Sequence, residues 1–251
     1  MADTATPATA SLDNVERIDP VTASVIQGAL ENIAVEMGHK LMRMSYSSII
    51  RESEDFGAAL IDTQGRQLCE TPQSTPLQSG PIPGYVSGIQ QIFADRGDSF
   101  APGDVVIHNS AYHGASHGPD VAFCVPVFHD GGLVGFSVTT AHHLDIGALS
   151  PGSCGIVDAM DAYAEGLQFK ALKVYDRDNK NQPLWQMLRD NIRASDLVVG
   201  DMQAQIAAAR IGAGATVGPA SLVMRGDEVP PSTRWQGNPI APWDPAGKKQ
   251  G

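Results

Sequence analysis

The sequence predicts a mixed α/β fold of the α+β kind, with a long N-terminal helix, a mixed sheet of hairpins, C-terminal helices and a disordered tail. Three observations carry this prediction. Apolar residues recur every three or four positions across residues 25–44, as on one face of an amphipathic helix. Two strand-like segments, 121–128 and 133–140, flank an Asp-Gly-Gly turn that is typical of a β-hairpin. Helical periodicity then returns in residues 181–211.

The N-terminal part of the chain predicts a leader followed by a helix. Residues 1–18 are rich in Ala and Thr and are expected to be a disordered leader. Asp19 is a candidate helix N-cap, because its carboxylate can accept from the first free backbone amides. Pro20 suits the first helical position, since that residue needs no hydrogen-bond donor. The apolar spacing carries this helix to about Ser45.

The next segment predicts a strand pair and a short helix joined by irregular stretches. In chain order we expect a polar turn (51–55), a strand (56–62), a hairpin turn (62–65) into a short strand (67–69), a proline-rich loop (71–84) and a helix (85–94) ending near Gly97.

The second half predicts the hairpin and two helices. In order we expect a buried strand (105–107), a loop (113–120), the hairpin, a Gly/Pro/Ser loop (147–155) and helices over 181–193 and 194–211. The expected domain therefore spans 19–212. Residues 213–251 carry many Gly and Pro with no sustained period, which predicts a disordered or aberrant tail.

Composition excludes several classes of function. The net charge of −11 argues against a nucleic-acid partner, which needs a basic face. No stretch reaches the roughly 18 continuous apolar residues of a membrane-spanning helix. The N-terminus lacks the basic and apolar regions of a signal peptide. Three cysteines without C-x-x-C spacing favour reduced thiols and a cytoplasmic location.

Six of the seven histidines lie between His108 and His143. Within this window, His117 and Asp120 form an H-x-x-D pair on a turn, and His142 stands at the end of the second hairpin strand. Imidazole and carboxylate groups are ligands for Zn, Mn or Fe, and three protein ligands leave positions open for water and substrate. The sequence thus offers a catalytic metal site. The alternative is that these are hydrogen-bonded turn residues.

Three further residues are candidate catalytic groups. His143 and Asp145 follow His142 and could orient a ligand or act as acid or base, although His143 could equally cap a strand. Asp55 precedes an apolar strand and could point into the site as a ligand or general base, although a solvated turn explains it as well. The cysteines, Cys154 among them, are expected to pack as small apolar residues.

Longer motifs resemble the hydantoinase B/oxoprolinase family. They are, in order, Arg51-Glu-Ser-Glu-Asp-Phe-Gly, Pro102-Gly-Asp, Tyr112-His-Gly-Ala-Ser-His-Gly-Pro-Asp, Ala141-His-His-Leu-Asp-Ile-Gly, Pro151-Gly-Ser, Glu165-Gly-Leu-Gln-Phe and a helix ending in Gly200-Asp-Met-Gln-Ala-Gln-Ile-Ala-Ala-Ala-Arg. The resemblance runs from about Ile18 to Gly212. Several of these motifs are long, and they occur in the family's order.

The resemblance implies a two-component enzyme. An A-type subunit uses ATP and Mg to phosphorylate a carbonyl oxygen, and a B-type subunit holds a divalent metal. In the carboxylase branch the metal ligands follow an H-x-x-D pattern with a downstream His, which falls here on His117, Asp120 and His142. In agreement with this division, the chain has neither G-x-x-x-x-G-K-[ST] nor G-x-G-x-x-G, so ATP is expected on the partner.

Three functions are therefore compared. The first is the metal-bearing B-type subunit of an ATP-dependent hydrolase of cyclic amides, of the hydantoin or 5-oxoproline type. The second is a subunit of an ATP-dependent acetone-type ketone carboxylase. The third is an inactive fragment that only binds its partner, since family members run to roughly twice this length and the resemblance ends near Gly212.

Overall fold

The computed structural model of the protein describes residues 19–153 and 160–214, together with three short strands further along the chain. Its helices are α1 (Pro20–Met44), α2 (Ser48–Arg51), α3 (Pro76–Ser79), α4 (Ile82–Arg96), α5 (Gln182–Asn191) and α6 (Ser195–Gly212). Its strands are β1 (Phe56–Asp62), β2 (Gln67–Glu70), β3 (Val105–His108), β4 (Asp120–His129), β5 (Gly132–His142), β6 (Leu172–Asp176), β7 (Asn179–Lys180), β8 (Thr216–Val217), β9 (Arg234–Gln236) and β10 (Ala241–Pro242).

Seven of the strands form one sheet, in the order β2-β1-β5-β4-β3-β6-β7. Every neighbouring pair in it is antiparallel. Together with the six helices, this confirms the predicted α+β fold class. No helix in the described part of the chain is both long and apolar enough to cross a membrane.

Helices cover both faces of the sheet, which is why every residue of β1 is buried. On one face, apolar side chains such as Phe123 pack with α5 and α6, and Ala58 packs with α1 and α6. On the other face, Cys124 and Phe136 pack with α4. Alternate residues of a strand point to opposite faces, so two apolar layers follow from almost continuous apolar strands.

The predicted start of α1 is confirmed in detail. The Asp19 carboxylate accepts from the amides of Val21 at 3.0 Å and Thr22 at 3.1 Å, and Pro20 occupies the first turn. At the other end, the Ser45 hydroxyl donates to the carbonyl of Leu41 at 2.7 Å. The Asp19 cap therefore satisfies backbone amides that the first turn of a helix leaves free.

Residues 71–84, predicted as an irregular loop, instead contain α3 and the first turn of α4. The loop prediction was wrong for these residues because it treated each proline as a helix breaker. Pro76 occupies the first turn of α3, and α4 likewise begins with proline in its first turn. A proline there loses no helical hydrogen bond.

The β6–β7 hairpin was not predicted. Its turn residues Arg177 and Asp178 have φ values of 48° and 63°, a left-handed conformation that usually signals glycine or asparagine. Without a glycine, the turn carries little sequence signal. Within 213–251, predicted as a tail, β8, β9 and β10 form a small sheet. Most other residues of that tail, and the predicted leader 1–18, lie outside the described residues.

Candidate functional site

Two strand ends bring a carboxylate and an imidazole together. Asp120 is the first residue of β4 and His142 the last of β5, and the two are directly opposite in the antiparallel pair. The Nδ1 of His142 lies 2.9 Å from the Oδ1 of Asp120. Directly opposite side chains share a face of the sheet, so this contact follows from the register.

A register shift makes this pairing possible. Beside the hairpin turn, His129 pairs with Gly132, and continuing that register would place Asp120 opposite Ala141. The register shifts between Val127 and Phe128, which leaves one extra residue on β5. Because successive side chains alternate between faces, the shift places His142 rather than Ala141 beside Asp120.

His117 completes the group from the turn before β4. Its Nε2 lies 3.1 Å from the same Oδ1 of Asp120. One ligand atom from each of His117, Asp120 and His142 lies within 4.8 Å of the others. Two imidazole nitrogens and one carboxylate oxygen form the donor set of a catalytic zinc, manganese or iron site. The donor atoms present therefore fit a single divalent metal.

The charge state of Asp120 suits this role. Burial alone would raise its pKa, but hydrogen bonds from His117, His142 and Ser116, with the charge of His117, hold the pKa well below its usual range. Conversely, the hydrogen bond with Asp120 raises the pKa of His117. Asp120 is thus a carboxylate at neutral pH, with both imidazoles turned toward it.

Two hydroxyl groups fix the position of Asp120. The Ser116 Oγ donates to its Oδ2 at 2.6 Å, which leaves Oδ1 to the two imidazoles. The Tyr85 hydroxyl, on α4, donates to the Asp120 carbonyl at 2.9 Å. Burial raises the pKa of Tyr85, so its hydroxyl stays protonated and able to donate. Sequence reasoning missed both residues, although Ser116 lies only four positions before Asp120. Tyr85 meets Asp120 only through the tertiary fold.

Asp55 meets the cluster through its backbone. Its carbonyl accepts from the amide of His142 at 3.1 Å, immediately beyond the last pair of β1 and β5. The residue is partly buried. It therefore lies at the same end of the sheet as His142. The direction of its carboxylate, as ligand or base, stays a prediction.

His143 and Asp145 make internal contacts. His143 is fully buried, and its Nε2 lies 2.7 Å from the Oε1 of Gln205. Burial lowers its pKa, so the ring is neutral. The Asp145 carboxylate accepts from the Arg193 amide at 2.7 Å and forms an ion pair with its guanidinium at 3.2 Å. These contacts hold the segment after β5 against the helical layer.

The other histidines of the window are dispersed by the fold. The Nδ1 of His113 lies 3.0 Å from the Ser110 hydroxyl, and His129 lies exposed at the hairpin turn. His108 is buried, with its Nδ1 accepting from the Ala171 amide and its Nε2 donating to the His113 carbonyl. The fold thus brings His117 and His142 to Asp120, whereas His108, His113 and His129 have other contacts.

The buried His108 is expected to make the protein sensitive to acid. Burial is the main cause that lowers the pKa of His108 from 6.5 to about 4, so the unfolded chain takes up a proton first as pH falls. Stability is therefore lost between pH 6.5 and pH 4, and about 2 kcal/mol of it is gone at pH 5. Urea unfolding at pH 7.5 and pH 5 should show this loss, and His108→Gln should reduce it by that amount. An equal loss in both proteins would assign the acid sensitivity elsewhere.

A cavity of about 260 Å³ opens beside the cluster. Its lining residues are Ala111, Ser116, His117, Met160, Asp161, Ala162 and Glu165. A larger cavity of about 430 Å³ runs along α6, and none of the three candidate ligands lines it. The smaller cavity is therefore the better candidate for substrate, because it exposes His117.

The chain is similar to several known proteins. Residues 19–218 match the family model of hydantoinase B/oxoprolinase. A relative from Pseudomonas sp. (strain NS671), named as the B-type subunit of a D-/L-hydantoinase, is 72% identical over 200 residues, covering 80% of this chain and 34% of the relative. The beta chain of the caprolactamase of Pseudomonas jessenii is 32% identical over 195 residues, covering 78% and 33%.

Two solved structures share the fold. The ATP-dependent caprolactamase from Pseudomonas jessenii aligns with a TM-score of 0.68 and 31% identity, over 78% of this chain and 33% of that one. A nucleotide-free acetone carboxylase aligns with a TM-score of 0.71 and 18% identity, over 78% and 25%. The chain spans about a third of the length of the hydantoinase relative and of the caprolactamase relative.

Proposed function

Since the chain belongs to the hydantoinase B/oxoprolinase family, we propose that it is the metal-bearing B-type subunit of an ATP-dependent hydrolase of cyclic amides. The observation that carries the proposal is the convergence of His117, Asp120 and His142 within 4.8 Å, beside a cavity. The name of the 72%-identical relative and the caprolactamase relative both favour amide hydrolysis.

The metal is held in this proposal by the two imidazoles and the Asp120 carboxylate. When bound, a divalent metal polarises a carbonyl oxygen and lowers the pKa of water toward neutrality. The protein supplies the geometry. Ser116 and Tyr85 hold Asp120 still, and the β4–β5 register holds His142 beside it. Preorganised ligands need not reorganise during the reaction.

Asp55 is the proposed general base. Its backbone is hydrogen-bonded to His142, so a side chain at this position starts close to the cluster. A carboxylate in this position could serve as the general base that hydrolysis by water would require. His143 and Asp145 are proposed as positioning residues rather than acid–base groups, because their polar atoms contact Gln205 and Arg193.

ATP is assigned to a partner. The sequence has no phosphate-binding loop of the G-x-x-x-x-G-K-[ST] type, and two relatives are named as subunits. We therefore propose an A-type subunit that holds ATP and Mg and activates the ring carbonyl. A cytoplasmic location, without nucleic-acid or membrane partners, belongs to the same proposal. Cys69 and Cys124, the cysteines in the described part of the chain, are free thiols, and a reducing compartment keeps thiols in that state.

The direct test is reconstitution with an A-type subunit. We expect ATP-dependent ring opening of a hydantoin, 5-oxoproline or a lactam, unchanged when bicarbonate is removed, and no turnover by the chain alone. Product mass identifies water as the acceptor. Bicarbonate dependence with a carboxylated product would establish the acetone-type carboxylase instead. A complex that assembles without turning over any of these substrates would favour a role in partner binding only.

A further inference from the structure

Glu165 contacts the candidate metal ligand His117 from the side opposite Asp120. The Glu165 Oε1 lies 3.5 Å from the Nδ1 of His117, whereas the Nε2 of that ring faces Asp120. The second oxygen, Oε2, accepts from the backbone amide of Gly118 at 2.8 Å. One carboxylate therefore contacts both the ring of His117 and the peptide that follows it.

The backbone on each side of Glu165 is fixed. The carbonyl of Ala164 accepts from the Leu149 amide at 2.9 Å, and the amide of Leu167 donates to the Ile146 carbonyl at 2.8 Å. Gly166 between them has a φ of 109°, and a Cβ there would lie 2.6 Å from the Ile146 carbonyl oxygen. Glu165 is thus presented from a segment that has little freedom to move.

The Glu165 side chain also lies close to the backbone of Gly118. A Cβ on Gly118 would lie 2.9 Å from the Cβ of Glu165, so a larger residue would separate the two segments. The Glu165 side chain is only 17% exposed, and it borders the cavity beside His117. The carboxylate is therefore largely enclosed, with one oxygen near His117 and the other bonded to the Gly118 amide.

We infer that Glu165 is a positioning residue for the metal site, which it serves by accepting the Nδ1 proton of His117. A proton held on Nδ1 leaves the lone pair of Nε2 directed toward Asp120 and His142. An outer carboxylate of this kind fixes the tautomer and the ring plane of a ligating histidine and raises its basicity. The inference rests on the proposed metal site, and it extends that site to a loop that supplies none of its three ligands.

The test is Zn²⁺ titration of the full chain, by competition with a chromophoric chelator. The wild-type chain and the Glu165→Gln variant should each bind one equivalent, with the variant weaker by about 10- to 100-fold, the range for loss of such outer partners. Asp95→Asn removes an exposed carboxylate on α4 and should bind as the wild type does. If Glu165→Gln fails to fold by circular dichroism, Glu165→Asp, which keeps the charge but shortens the reach, is judged by the same criterion.

A spectroscopic readout separates positioning from general support of the fold. In the zinc-loaded, ¹⁵N-histidine-labelled chain, the Nδ1 proton of His117 should resonate downfield and move upfield in Glu165→Gln, because an amide oxygen is a weaker acceptor. Unchanged affinity in the variant would overturn the inference while leaving the metal site intact. Complete loss of zinc would make Glu165 a ligand and overturn it too. A wild-type chain that binds no zinc would overturn the metal site itself, and this inference with it.

Discussion

Replacing His117 with alanine is expected to lower the affinity for Zn²⁺ by more than about 100-fold. This is a larger loss than removal of a residue that only hydrogen-bonds a metal ligand would cause. His117 supplies one of only three donor atoms in the cluster. A two-ligand remnant, with Asp120 still buried, leaves the metal with too few protein donors. ATP-dependent hydrolysis by the reconstituted complex should fall with the metal content.

His129→Ala is the matched control for this experiment. His129 is an exposed histidine at the turn of the same hairpin, where it faces Asp130 rather than the cluster. Its removal changes the histidine count by the same amount and should leave zinc binding unchanged. Equal affinities for His117→Ala and the wild-type chain would remove His117 from the ligand set.

Replacing Gly88 with alanine is expected to destabilise the protein by about 3 kcal/mol, the upper part of the range for overpacking. A Cβ at Gly88 would lie 1.8 Å from the His113 carbonyl oxygen, so α4 and the loop before His117 cannot both keep their places. Gly84 makes a similar approach one turn earlier, to the backbone of Gly114. Urea unfolding gives the stability, and zinc affinity should fall because His117 follows the displaced loop.

Gly28→Ala serves as the control for the glycine substitution. Gly28 lies inside α1, and apart from its chain neighbours and the backbone of its own helix, no atom of the described residues lies within 4 Å of the position its Cβ would take. This variant should gain about 0.5–1 kcal/mol, since alanine favours the helix and no contact is disturbed. A Gly88→Ala protein as stable as the wild type would show that α4 and the loop do not rest on each other as described.

Much of the fold could be predicted because the deciding signals are local. The apolar spacing of α1 and its Asp19 cap, and the Asp-Gly-Gly turn of the hairpin, each lie within a few residues of what they determine. The β6–β7 hairpin escaped prediction, since its left-handed turn residues are not glycine. The prolines in the first turns of α3 and α4 led to a loop prediction over 71–84, which missed α3 and the first turn of α4 but not the rest of α4.

The site could be predicted in part. Spacing placed His117 beside Asp120, and a strand end placed His142 near both. However, Asp120 and His142 share a face of the sheet only because the register shifts between Val127 and Phe128, and no local sequence pattern predicted that shift. The partners that hold the ligands, Tyr85 and Glu165, lie far from Asp120 in the chain. Such contacts follow from tertiary packing, which local patterns in a single sequence do not reveal.

The metal content of the purified wild-type chain tests the central claim most directly. Elemental analysis of well-folded protein, after dialysis without chelator and titration with Zn²⁺, Mn²⁺ or Fe²⁺ in turn, should find one equivalent of at least one of these metals. That equivalent should be absent from His117→Ala and retained by His129→Ala. A folded wild-type chain that holds no stoichiometric metal under any of these conditions would contradict the assignment of His117, Asp120 and His142 as its ligands.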